Sequence, residues 1–534
     1  MFGELTKKRK MIVFLGVIMA MLLSSLDSTI VSTAMPKVLT SLGGVEYLSW
    51  VFTAYMLAST ISVPIFGKLA DIYGRKPFYI AGVVVFLLGS ALCGISGTMT
   101  QLILFRALQG VGGGMMMSNS MAIIADIFPP QERASKQGII GAVFGLSAII
   151  GPAIGGFITD NLNWRWVFYV NIPVGIVAIV ILIIGLPFVK DAVERKIDYL
   201  GATFIISTFT PMLLAFSWAG SKYTWGSKEI IGLLIFSLIS LIVLIFTESK
   251  AKEPIIPLSL FKSATFNVSV LAGLLMSVAM FGISAYVPLF VQGVMGETAT
   301  NSGVITTPMM ISAIIASTIS GQLISKLGKY KLNAIVGFAI MSIGMYLMST
   351  MGISTTHTQL IISMLVLGFG LGLIMPIFVI AVQNAFPHKM VGTVTASVTF
   401  FRNIGGTIGV AILGSILNAQ FKSGSASVIP EAVKKIMPME QQKIFETPQT
   451  LFNSDVISQI SAHLPSQAVA MFTKLLDDLK GVLSNSIHTI FLYCMFVAIA
   501  GFILVFFLPE NPLRQTNNEE ENEVSSEKQE LVLE

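Results

Sequence analysis

The chain has 534 residues, of which 54% are apolar and only 11% charged, with a mean hydropathy of +0.81. A water-soluble fold of this length needs a far more charged surface, so an ordinary soluble enzyme or binding domain is excluded. Net charge is +5, and its distribution along the chain matters more than its size.

Uncharged stretches such as 78–101 and 230–247 match the roughly 20 residues needed to cross about 30 Å of hydrocarbon. Backbone polar groups find no water there, which leaves helices or a closed barrel. The apolar runs are continuous rather than alternating, and that excludes the barrel. The reading is an all-α membrane protein. Lys7, Lys8, Arg9 and Lys10 precede an apolar run from Met11, read as an uncleaved first helix rather than a signal peptide. Cys93 and Cys494 both fall inside apolar runs and are read as lipid-embedded or packed thiols rather than a disulfide.

Fourteen spans follow in chain order, centred near Ser24, Ser59, Leu87, Gly114, Ala148, Ile176, Thr208, Phe236, Ala279, Ala313, Met341, Gly370, Ala411 and Val497. An even number puts both termini on one side. Of the 33 Lys and Arg, 21 fall on the amino-terminal side, 10 on the other and two inside spans. Six of those ten lie in the loop 420–485, where six acidic residues cancel them. The bias predicts that both termini are cytoplasmic, in a multi-pass protein of the cell membrane.

The two halves repeat. Gly67-Lys-Leu-Ala-Asp71-Ile-Tyr-Gly74-Arg75 has a worn copy in Gly321-Gln-Leu-Ile-Ser325-Lys-Leu-Gly328-Lys329, 254 residues on. The same offset lays Gly151 and Gly155 on Gly405 and Gly409, and an offset of 258 lays Gly110, Gly112 and Gly114 on Gly368, Gly370 and Gly372. Such repeats place a substrate site between two bundles near mid-membrane. The spans near Thr208 and Phe236 have no counterpart and read as an inserted pair. The expected organisation is an amino-terminal segment 1–10, a six-helix bundle 11–188, a linker with two inserted helices 189–247, a cytoplasmic loop 248–265, and a second six-helix bundle 266–510. That second bundle includes the extracellular loop 420–485. Residues 511–534, rich in Glu, read as a disordered cytoplasmic tail.

Gly67 and Gly74 permit a tight turn on the connection between spans two and three. Arg75 is expected to pair with a carboxylate, for which Asp126 at the end of span four is best placed. The stretch from Gly67 to Pro77 resembles the signature of the major facilitator superfamily. Arg106-Ala-Leu-Gln109-Gly110-Val-Gly112 is similar to its span-four motif, and Gly151-Pro152-Ala-Ile-Gly155-Gly156 to its antiporter motif. Leu26-Asp27-Ser-Thr29-Ile30-Val31 with Pro36, Asn163-Trp164-Arg165-Trp166 and Asn171-Ile-Pro173 resemble the fourteen-span drug:proton antiporter branch. This resemblance implies the major facilitator fold, with two six-helix bundles plus two inserted helices, and a latch of Asp71, Arg75 and Asp126 that stabilises the outward-facing state. Ser325 and Lys329 depart from the pattern and argue against a symmetric second latch.

Asp27 lies mid-way along span one and Arg106 within span four; charges placed there are costly and their default reading is functional. Desolvation favours proton binding by Asp27, and a moving guanidinium would switch it. The plainer alternatives are a packing hydrogen bond from Asp27 to Ser24 or Thr29, and a structural anchor at Arg106. Met364 and Leu367 stand where the first half has Arg106 and Gln109, so proton coupling is expected in the first half alone. Gly141, Gly145, Ala148, Pro152, Gly155 and Gly156 place small residues on one face of span five, a seam for close packing. Gln109, Tyr55, Trp50 and Met116 are the candidate substrate contacts, with packing or membrane-belt roles as the alternatives for the aromatic pair.

The resemblance implies a secondary active transporter rather than an enzyme: a proton-coupled antiporter exporting lipophilic, cationic or neutral drugs by alternating access, with Asp27 reached from the path between the halves. No metal site and no nucleotide-binding loop is read. The expected partners are a small-molecule substrate, protons and membrane lipids, with no cofactor beyond the proton gradient, no nucleic acid and a monomeric state. Two other readings stay open: a dedicated exporter of one antibiotic or of an amphipathic anion held by Arg106, and a receptor or scaffold acting through the loop 420–485.

Overall fold

The computed structural model describes residues 6–43, 47–187, 197–220, 222–297, 299–429, 448 and 466–514. Fourteen long helices run through them. The first six are α1 (Lys7–Leu42), α2 (Leu48–Tyr73), α3 (Arg75–Ile95), α4 (Met99–Ile127), α5 (Pro130–Asn161) and α6 (Trp166–Gly185, interrupted at Val170). Then come α7 (Tyr199–Trp218) and α8 (Lys228–Lys250). The last six are α9 (Ala264–Gly293), α10 (Ala299–Leu327), α11 (Lys331–Ser349), α12 (His357–Ala385, interrupted at Met375 and Pro376), α13 (Val391–Val428) and α14 (Ser466–Val505). The side from which α1 departs is the N-side below.

Local sequence explains where the helices stop. Thr98 and Ser227 cap α4 and α8, each hydroxyl accepting from a backbone N–H three residues on. Gly74 (φ 96°) separates α2 from α3, and Gly328 (φ 67°), its partner in the repeat, follows α10. Only glycine takes that backbone readily.

Thirteen described helices are long and apolar enough to cross a membrane. The remaining one is α4, diluted by Arg106, Gln109 and Asn119, yet it is almost wholly buried from Gln109 to Ile127. A helix enclosed by other helices is released from the apolar requirement that lipid imposes.

The repeat is expressed in the packing. In the first bundle α4 packs on α2 and α3, and α1 on α5 and α6; in the second α12 packs on α10 and α11, and α9 on α13 and α14. The halves meet where α5 crosses α10 and α13 crosses α2, while α7 lies against α2 and α13 with α8 outside it. A Cβ on Gly110, Gly112 or Gly114 would strike the backbone of Tyr55, Phe86 or Ser59; one on Gly368, Gly370 or Gly372 would strike that of Met309, Met341 or Ala313. Both glycine triads bring a central helix against its neighbours' main chain.

Three boundaries differ from expectation. Helix α1 starts at Lys7, not Met11, because Thr6 caps it and Arg9 Nε donates to the Gly185 carbonyl at 3.0 Å. Residues 420–428 and 466–485 are helical rather than loop, since Phe421 on α13 and Leu475, Leu479 and Leu483 on α14 bury themselves in the second core. Residues 511–514 are not free: the Asn384 amide donates to the Pro512 carbonyl at 3.0 Å and its oxygen accepts from Arg514 N at 3.0 Å. The expected loop between 430 and 465, apart from 448, and the expected tail from 515 to 534 lie outside the described residues. Cys93 and Cys494 are both free and buried, one in each bundle.

Adding a side chain at the triads is expected to overpack the bundles at a cost of about 1–3 kcal/mol. Gly112→Val and Gly370→Val should each lower the melting temperature of the purified protein, whereas Gly156→Ala, with nothing within 4 Å of its Cβ position, should not.

Candidate functional site

Asp27 is fully buried among α1, α3, α4 and α6. Arg106 Nη1 donates to its Oδ2 at 2.5 Å, and Gln109 Nε2 and Asn171 Nδ2 each donate to its Oδ1 at 2.8 Å. Arg106 Nη1 also donates to Gln109 Oε1 at 2.7 Å, and the guanidinium lies over the Tyr55 ring, 4.3 Å from its centre. Asn171 Nδ2 further donates to Ser90 Oγ, whose own hydroxyl donates to the Phe168 carbonyl. A buried carboxylate stripped of one partner costs about 3–5 kcal/mol, and three donors around one acid are the means of avoiding that cost.

The arrangement sharpens some expectations and overturns others. Asp27 and Arg106 do meet. The acid bonds neither Ser24 nor Thr29: the Thr29 hydroxyl donates to the carbonyls of Leu26 and Ser147. Asp27 does not border a path between the halves here, being enclosed within the first bundle by its donors. Neither Asn171 nor Ser90 is assigned a role from sequence; Asn171 enters there only within the Asn171-Ile-Pro173 motif.

On the N-side the two halves are tied together. Arg75 forms ion pairs with Asp71 and with Asp126, the latter at 3.1 Å from Nε to Oδ2. Asp71 Oδ2 accepts from both the backbone N–H and the hydroxyl of Thr393 on α13, each at 2.7 Å. His388 Nε2 stands 3.4 Å from Asp126 Oδ1. Gly392 makes this possible, because a Cβ there would strike Asp71 and Arg75. The second copy makes no equivalent ion pair among the described residues; Gln131 Nε2 reaches the Ser325 carbonyl at 2.6 Å instead. Gly67 packs against Ala396, and Gly321 against Ala134 at the matching position.

The small residues of α5 do not share one face, as expected, but serve two seams. Gly145 faces Ile314 on α10, while Gly151 and Gly155 face Thr29, Ile30 and Thr33 on α1. Pro152 is exposed and Gly156 meets nothing. Gly145 and Gly151 are six residues apart, which places them on different sides of the helix. Helix α5 therefore links the helix of Asp27 to the junction between halves.

A cavity of about 900 Å³ opens between α2, α7, α9 and α13, lined by Phe52, Met56, Phe216, Tyr286, Thr407 and Asn418 among others, none of them charged. None of the four expected substrate contacts lines it. Gln109 and Tyr55 are occupied at the Asp27 cluster, Met116 is buried in the first core, and Trp50 meets Trp218 edge-on at 5.3 Å. A second cavity, of about 30 Å³, lies at the junction of the halves beside Met121, Phe144, Met375 and Arg402. No carboxylate lines it.

Breaking the N-side tie should open that side. A reporter cysteine at Ser397, fully buried on α13, is expected to react with maleimide about tenfold faster in a Gly392→Val background, equivalent to about 1.4 kcal/mol of lost closure. Unchanged reactivity would contradict the tie's role.

The profile of the Major Facilitator Superfamily matches residues 17–410. Multidrug transporter protein MdtP of Bacillus subtilis (strain 168) is 41% identical over 99% of this chain and 98% of its own length. Multidrug resistance protein 3 of the same organism is 35% identical over 94% of this chain and 96% of its own. Among solved structures, the human organic anion transporter MFSD10 (TETRAN) aligns with a TM-score of 0.59 at 14% identity, covering 92% of this chain and 99% of that one. The proton:xylose symporter XylE aligns with a TM-score of 0.60 at 13% identity, covering 95% and 97%. At such identities the likeness to the solved structures shows the fold alone. With the profile spanning most of the chain and full-length relatives above 30% identity, the chain belongs to the Major Facilitator Superfamily and is a multi-pass membrane transporter.

Proposed function

We propose that this transporter exports lipophilic drugs across the cytoplasmic membrane in exchange for protons, by alternating access, with the N-side facing the cytoplasm. The substrate class rests on the two Bacillus subtilis relatives, whose names describe a multidrug transporter and a multidrug resistance protein. The orientation rests on the excess of Lys and Arg in the N-side loops.

One observation carries the coupling: a fully buried carboxylate whose counter-charge, Arg106, comes from a different helix. Protonating Asp27 removes the charge that holds Arg106, and the guanidinium is then free to seek another acceptor. Helix α1 and the junction of the halves are joined through α5, so a shift at Asp27 has a packed route to the seam at Gly145. With the Asp71, Arg75 and Asp126 latch closed on the cytoplasmic side, substrate leaves outward and Asp27 takes up a proton from outside; with it open, Asp27 releases that proton to the cytoplasm as the next substrate binds. The uncharged cavity of about 900 Å³ suits neutral amphiphiles.

A second reading has its own observation. An amphipathic anion has no cation to meet at Arg106, which Asp27 already neutralises, but Arg402 stands at the junction of the halves with no carboxylate beside it. Competition between an anionic drug and a neutral one, measured in wild type and Arg402→Gln, separates the two substrate classes.

In proteoliposomes under an imposed pH gradient, Asp27→Asn is expected to reduce gradient-driven dye export to the level of protein-free vesicles. Exchange of labelled for unlabelled dye without a gradient should persist, because neither leg of that exchange moves a proton. Wild-type gradient-driven export by this variant would reject Asp27 as the proton carrier.

A further inference from the structure

The inserted hairpin holds a buried acid, Glu248, for which the transport cycle above has no task. Asp198 caps α7, its Oδ1 accepting from Gly201 N at 2.7 Å. Glu248, in the last turn of α8, is 4% exposed, and its Oε2 accepts from Ile256 N at 3.3 Å. Each carboxyl therefore has one oxygen satisfied and one left over: Asp198 Oδ2 and Glu248 Oε1 are both buried without a hydrogen-bond donor. The two leftover oxygens converge, since a Cβ on Gly201 would strike both, with Glu248 Oε1 at 2.8 Å. Glycine at 201 is what gives them room.

The charged neighbours do not resolve the conflict. Lys68 on α2 is the nearby cation, but its Nζ is taken by Glu253 Oε2 at 2.7 Å, in the segment that follows α8. Two carboxylates facing each other out of water cannot both stay ionised cheaply, and buried acceptors without a donor carry their full desolvation cost. A single hydrogen between the two leftover oxygens satisfies both at once, and such a pair titrates as a unit.

We propose that Asp198 and Glu248 bind one proton between Asp198 Oδ2 and Glu248 Oε1, forming a protonation site in the inserted hairpin that is separate from Asp27. The site lies at the N-side end of α7 and α8, behind the stretch of α2 that carries Lys68 and Asp71. Loss of its proton leaves two like charges in contact, and Lys68 is the cation placed to answer them by leaving Glu253. This pair goes beyond the transport reading and does not depend on it.

Infrared difference spectroscopy of the full-length protein in nanodiscs, stepped from acid to alkaline buffer, reads the proton directly. Wild type is expected to show a protonated-carboxyl stretching band that disappears on alkalinisation and shifts in deuterated buffer. Glu248→Gln should lack that band. Asp198→Asn should lack it too, because its amide oxygen keeps the cap on Gly201 while its NH₂ donates to Glu248 and holds that group ionised. Asp27→Asn should keep it. A band that survives in both Glu248→Gln and Asp198→Asn overturns the proposal. A band lost only in Glu248→Gln places the proton on Glu248 alone and overturns the sharing. If Glu248→Gln fails to fold, Asp198→Asn decides the matter alone; if Asp198→Asn fails, a band that survives in Glu248→Gln still overturns the proposal.

Discussion

A carboxylate buried midway along a membrane-spanning helix is tolerated only when donors surround it, and the first bundle is built to provide them for Asp27. Arg106 and Gln109 come from α4, Asn171 from α6, and Ser90 on α3 fixes Asn171 in turn. Four helices thus converge on one acid. The cluster ties these helices together around one charged pair, Asp27 and Arg106, held out of water. Interactions of this kind are strong because water is absent, and they are vulnerable for the same reason.

The second half repeats the scaffold without this chemistry. Its glycine triad brings α12 against α10 and α11 as closely as α4 approaches α2 and α3, yet Met364 is buried where Arg106 would stand. The ties between the halves are asymmetric in the same sense. Asp71 reaches across to Thr393 through a charged bond, whereas the matching crossing on the other side is a neutral one from Gln131 to a carbonyl. Symmetry is kept where helices must approach one another, and given up where charge is used.

That division explains what the sequence made legible. The Gly, Asp and Arg spacing of 67–76 announced an ion-pair latch with Asp126, and the glycine offsets announced the repeat, because both are local patterns. Gly392, Thr393 and His388 escaped notice, since their partners lie more than 250 residues away and an uncharged Thr in an apolar helix signals nothing by itself. Asn171 was seen only as part of a motif, because an uncharged amide does not by itself announce a carboxylate partner 144 residues away. Met116 was misplaced because a methionine reads alike whether it faces a cavity or a core. Helix α4 shows the limit of hydropathy: the span that supplies Arg106 and Gln109 to the buried acid is the one that looks least like a span. Asp198 and Glu248 sit at opposite ends of a hairpin in sequence, and only the fold brings them to one glycine.

The central claim is that Asp27 exchanges a proton as substrate binds and leaves. The most direct measurement counts protons released when a neutral lipophilic drug is added to purified protein in weakly buffered detergent, followed with a pH-sensitive dye. The account predicts proton release from wild type and none from Asp27→Asn at the same occupancy. Equal release from both proteins would contradict it.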